Sequence, residues 1–150
     1  MQTLATVTAL LTLVLNTSAA AYAGWRWWVV DVGRAAWPAL RAGQAAAVLL
    51  ALTAGIAWAT GSRPEDGLFW VYALLPVGVG FVAEQFRILS AQTVLDQRGI
   101  ENAKAVGRLP EAEQRSVVTQ IVRRELGTMA LAAAVIAFLA LRALTEVGGL

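Results

Sequence analysis

Four long stretches almost free of charge divide a chain of only 150 residues, and they constrain the fold more than any motif. Met1 to Trp25 and Ala42 to Ser62 contain no charged side chain. Each covers the ~20 residues a helix needs to cross ~30 Å of hydrocarbon. The third stretch is uncharged from Gly67 to Ala83 and the fourth from Leu126 to Leu141. These shorter windows still span a bilayer if the flanking charges of Glu84, Glu125 and Arg142 reach out to its surface. A composition that is 58% apolar and 15% charged, with the charges between the runs, is not that of a water-soluble helical domain. The sequence therefore predicts one all-α integral membrane domain over residues 1–150, a four-helix bundle with a helical extension between spans three and four. The spans fall at about 4–25, 42–61, 68–88 and 124–144, with a cytoplasmic helical hairpin at about 89–123.

Lysine and arginine near the ends of spans are retained in the cytoplasm, so their distribution predicts orientation. Arg26, Arg34 and Arg41 lie between spans one and two. Arg87, Arg98, Lys104, Arg108, Arg115, Arg123 and Arg124 lie between spans three and four, whereas the other side receives only Arg63 and Arg142. Both arginine-rich connections should be cytoplasmic, with both termini and the Gly61 to Gly67 turn outside. This is the pattern expected of a multi-pass protein of a bacterial cytoplasmic membrane. A cleaved signal peptide is the competing reading of the first stretch, since Ala21, Tyr22 and Ala23 before Gly24 have the small-x-small form of a cleavage site. It is disfavoured. No basic region precedes the apolar run, and cleavage would export the segment with seven positive charges.

Aromatic residues cluster where the headgroups would lie: Tyr22, Trp25, Trp27, Trp28 and Trp37 on one side, Trp58, Phe69, Trp70 and Tyr72 on the other. Such belts anchor helices at both interfaces, which favours that role over a stacking site for nucleic acid. A pI near 9.7 fits contact with anionic lipid headgroups at the cytoplasmic face.

Within the spans, Gly43, Ala47, Ala51, Gly55 and Ala59 recur at a spacing of four and suggest a smooth ridge for close helix packing. Gly127, Ala130, Ala134 and Ala137 offer a second such face, and Ala20 and Gly24 a shorter one. Packing inside one chain is favoured over self-association, because four spans need several close crossings. Span three carries Pro76, Gly80 and Glu84 at the same spacing, so the carboxylate belongs to the face that proline loosens. Seventeen residues from Gly67 place Glu84 about 25 Å in, only ~5 Å below the inner boundary. An interfacial ion pair with Arg87, or with Arg123 or Arg124, is the favoured reading over a proton or cation site. Asn16 lies ~18 Å from Leu4, deep enough to need a partner on another helix. Glu84, Arg87 and Asn16 form the candidate intramembrane polar site.

From Gln85 to Glu125 the chain is polar, and helical in composition. Span three should continue to Gln97, break at Gly99, and give way after Pro110 to one helix of about 35 residues ending near Leu144. Val117, Val118, Ile121 and Val122 form an apolar stripe expected to pack on the Phe86, Leu89 and Val94 side of span three. With no histidine and no cysteine there is no imidazole base, thiol nucleophile, disulfide, thiolate metal site or histidine-ligated haem. No phosphate loop stands between a strand and a helix. The sequence thus suggests no enzyme, no cofactor, no metal and no nucleic acid. It favours a non-catalytic accessory or structural subunit, packing with itself or a larger membrane complex. The alternative is a small homo-oligomeric channel or transporter using Glu84.

Overall fold

A computed structural model describes residues 2–31, 33–61 and 67–148, and every regular element among them is helical. In chain order these are α1 (Gln2–Trp28), α2 (Ala36–Ala59), α3 (Leu68–Gln97), the single turn α4 (Ala103–Val106) and α5 (Glu111–Gly148). The helices α1, α2, α3 and α5 are each long and apolar enough to cross a membrane. Ser62 to Asp66, including Arg63, lie outside the described residues.

The four long helices close a ring in the order α1, α2, α3, α5, each packed on its two neighbours, and the α2–α3 side is the most sparsely joined. The reason lies in the spacing of small and apolar residues. On α1 the buried positions are Ala5, Ala9, Thr12, Asn16, Ala19 and Ala23, an alternation of four and three. On α2, Ala36, Leu40, Gly43, Ala47, Leu50, Ala54 and Ala57 follow the same rhythm. An average of 3.5 residues keeps one seam facing its neighbour along the whole helix. Because so many seam residues are alanine or glycine, the backbones approach closely, which matters where lipid and side chain are equally apolar.

The strict spacing of four behaves differently. Each step of four advances 40° beyond a full turn of 3.6 residues, so the five small residues of α2 wind around the helix instead of forming one ridge. Gly43 and Ala47 are buried and Ala51 half-buried, whereas Gly55 and Ala59 are exposed. On α5, Ala130 and Ala137 are buried, but Ala134 is exposed and Ala133 takes the inward place beside it. On α1, Ala19 and Ala23 enter the core, and Gly24 has open space where a side chain would begin.

Two apolar clusters fill the ring, one at each end. Ala19, Ala23, Leu40, Ala83, Leu126 and Met129 belong to the first. Ala5, Ala9, Leu50, Ala54, Phe69 and Ala73 belong to the second. Thr12 and Asn16 lie between them along α1.

Beyond Glu84, α3 runs on to Gln97 and stops where Gly99 adopts φ +65°, a conformation glycine enters freely. The Ile100 amide closes the turn on the Leu95 carbonyl at 2.9 Å. Asn102 caps α4 by accepting from the Ala105 amide at 3.0 Å. Pro110 precedes α5, whose first turn carries Glu111 and Glu113 where the helix dipole favours anions. The extended parts of α3 and α5 are tied by Arg98, which donates to the Gln120 amide oxygen at 2.7 Å and the Ser116 hydroxyl at 3.0 Å. Val94 and Val117 are buried, but Phe86, Leu89 and Val118 are about half exposed. Only part of the expected apolar stripe is covered.

Candidate functional site

Two groups of polar side chains bridge helices within their apolar lengths, and they are joined through consecutive residues of α2. On the α1 side, the Asn16 amide nitrogen donates both of its protons, one to the Thr12 carbonyl and one to the Gly43 carbonyl, each at 2.9 Å. The Thr12 hydroxyl lies 2.8 Å from the Thr8 carbonyl and 2.9 Å from the Ala46 carbonyl across the interface. Both side chains are almost fully buried. Backbone carbonyls have a second lone pair after closing the helix, so α2 offers these acceptors without losing its own bonds. Gly43 permits the approach: a β-carbon there would stand 2.7 Å from the Asn16 amide oxygen.

On the α3 side, Glu84 accepts from three donors. The Arg41 guanidinium reaches one carboxylate oxygen at 2.6 Å, the Gln44 amide reaches the same oxygen at 3.0 Å, and Arg87 reaches the other at 3.0 Å. The side chain of Glu84 is 23% exposed and that of Arg41 50%. Arg41 also donates to the Gln44 amide oxygen at 2.7 Å, and the Arg87 guanidinium lies 5.5 Å from the Trp37 ring centre. The expected partner Arg87 is therefore present, while Arg41 and Gln44 stand where Arg123 or Arg124 was anticipated. Arg41 lies in the second turn of α2, and the way α2 and α3 pack brings it to the height of Glu84. Asn16 and Glu84 do not bond each other. Gly43 faces α1 and Gln44 faces α3, and the two networks use different atoms.

A groove of about 210 Å³ lies between α2 and α3, lined by Gln44, Ala47, Pro76, Gly80, Phe81 and Glu84, among others, with Ile136 also lining it. Its lining is apolar apart from Gln44 and Glu84.

A third constellation lies at the same, arginine-rich end, where α1 meets the first half of α5. Arg26 forms an ion pair with Asp31 and lies 5.9 Å from the Tyr22 ring centre and 5.4 Å from that of Trp25. Arg123 of α5 stands 5.6 Å from the Trp27 ring centre. The Trp27 indole rests on Gly127, where a β-carbon would meet its ring nitrogen at 2.9 Å. Gly127→Val is accordingly expected to expel the indole and lower stability by about 1–3 kcal/mol, the usual cost of overfilling a packed contact. A red-shifted emission in an otherwise folded variant that keeps Trp27 as its single tryptophan would report it; an unchanged spectrum there would contradict the contact.

Among the described residues, no group of histidine, cysteine, aspartate and glutamate could hold a metal ion. No protein-family model, curated protein or solved structure matches the chain.

Proposed function

We propose that this protein is a small multi-pass membrane protein of the bacterial cytoplasmic membrane, its arginine-rich connections inside, acting as a non-catalytic structural or accessory subunit. What supports this reading most is the way its polar residues are spent. Asn16, Thr12, Gln44 and Glu84 each bind another helix, and the carboxylate is held by two guanidiniums and an amide. A carboxylate engaged by donors from its own and a neighbouring helix ties those helices together, and the pairing offsets the cost of placing its charge near the bilayer.

The surface available for assembly is the outward side of α2. Gly55 and Ala59 are exposed, and around Gly55 the space is open among the described residues. Leucine at position 55 should leave the isolated fold intact, so any loss of assembly would come from contact between molecules. Purification from native membranes in mild detergent is expected to give a particle larger than one 15.9 kDa chain, and Gly55→Leu is expected to reduce it to that unit. A wild-type particle of one chain, or a Gly55→Leu particle of undiminished mass, would refute assembly through this face.

The groove beside Glu84 favours one alternative, a homo-oligomeric channel or transporter with that carboxylate in its pathway. The two readings diverge on Glu84→Gln. A subunit keeps its assembly and shows no flux in liposomes with or without the substitution; a transporter loses a pH-dependent flux while remaining assembled.

A further inference from the structure

We propose that the pocket between the end of α1 and the first half of α5 binds the phosphate of a membrane phospholipid. The proposal rests on the membrane placement above, since only there would the pocket open at headgroup height. The pocket measures about 220 Å³ and is lined by Arg26, Asp31, Thr119 and Arg123 together with Trp27 and the apolar Val30, Val118, Val122 and Leu126. Its two cations come from different helices. Phosphate oxygens need strong donors held in place, and both guanidiniums are held by ring faces.

The donors remain available. Arg26 gives one terminal nitrogen to Asp31 and its Nε is buried under Gly33, where a β-carbon would stand 2.6 Å away, but its other terminal nitrogen makes no hydrogen bond among the described residues. Arg123 makes no ion pair among those residues and is exposed. Asp31 carries the one carboxylate of the lining, and it is engaged by Arg26 and by the Gly33 amide at 3.2 Å. Two positive charges against one negative leave the pocket cationic. Leu126, one turn further toward the apolar stretch of α5, supplies surface suited to the glycerol and first methylenes of a lipid, which a free inorganic anion would not use, while Val118 and Val122 close the pocket on its other side.

The backbone adds an independent observation. Val30 adopts φ +57°, the single non-glycine residue in the left-handed region among those described. It stands where a helix normally ends on glycine, with the Asp31 amide bonded to the Arg26 carbonyl at 3.1 Å. A β-branched residue is strained there, and such strain concentrates where structure serves binding. The turn folds Val30 into the pocket wall and carries Asp31 back onto Arg26.

Native mass spectrometry of the full chain, released from nanodiscs of phosphatidylglycerol and phosphatidylcholine, tests the assignment. One phosphatidylglycerol per chain should survive release, with retention reduced about tenfold in Arg123→Gln and unchanged in Lys104→Gln, which removes the same charge from the exposed hairpin. Val122→Phe fills the pocket without altering charge and should also lose the lipid, so the result does not depend on one variant folding. Equal retention in Arg123→Gln and Lys104→Gln would overturn the proposal by reducing the effect to general attraction. So would displacement of the lipid by millimolar inorganic phosphate, which would identify a free-anion site. Extraction from cell membranes without detergent would instead overturn the membrane placement, an outcome separable from loss of lipid in a protein that needs detergent.

Discussion

Gly43→Leu is expected to be among the most damaging single substitutions in this chain, whereas Gly55→Leu, three turns along the same helix, is expected to leave the monomer intact. At position 43 even a β-carbon would stand 2.7 Å from the Asn16 amide oxygen and 3.0 Å from the carbon that bears it. The amide cannot retreat without giving up the Thr12 and Gly43 carbonyls it joins. Overfilling such a contact costs about 1–3 kcal/mol, and interhelical hydrogen bonds in bilayers add about 0.6–2 kcal/mol. A loss of about 3 kcal/mol is expected, read as the shift in helix loss when the protein is titrated from mild detergent into sodium dodecyl sulfate. Gly43→Ala should cost less, and Asn16→Ala should remove most of that smaller cost, because the two side chains compete for one space. Additive effects of Gly43→Ala and Asn16→Ala would place the amide somewhere other than between α1 and α2.

The second large effect is expected at Glu84. Alanine there strips Arg41, Gln44 and Arg87 of a shared acceptor and leaves two guanidiniums facing each other at the weakest side of the ring. A fully buried pair would lose about 3–5 kcal/mol when broken. Arg41 is half exposed, and exposed pairs contribute little, so about 1–2 kcal/mol is the expected loss. Glu84→Gln keeps an acceptor oxygen and should cost roughly half as much. High salt should narrow the difference between wild type and Glu84→Ala, as it does for charges within reach of water. An alanine variant as stable as wild type at low salt would show that the cluster does not hold α2 to α3.

Much of this arrangement was legible in the sequence, and the parts that were not have identifiable causes. Four apolar helices, the run of α3 to Gln97 and the long final helix follow from charge spacing, Gly99 and Pro110, all of which act locally. Which face of each helix turns inward depends on the crossing of pairs. A spacing of four in α2 looked like a ridge, yet helices crossing at a shallow angle select the alternation of four and three. Asn16 was recognisable as needing an interhelical partner because a buried amide must be satisfied. That the partner is the carbonyl of Gly43 is tertiary information. Arg87 was found from its position three residues beyond Glu84. Arg41 and Gln44 belong to another helix, and their height relative to Glu84 depends on how the intervening turn is folded. The pocket at Arg26 escaped notice for the same reason, since neither the left-handed Val30 nor the approach of α5 has a signal in composition.

The proposed function requires four spans with the basic segments on one side, and the absence of cysteine from the sequence makes single-cysteine labelling a clean test of that orientation. Thr60→Cys and Lys104→Cys would be treated in intact cells with a maleimide that cannot cross membranes. The expected result is labelling of the cysteine at 60 in intact cells and of the cysteine at 104 only after permeabilisation. Labelling of position 104 in intact cells, or of both positions alike, would contradict the orientation and with it the cytoplasmic placement of Glu84 and the Arg26 pocket.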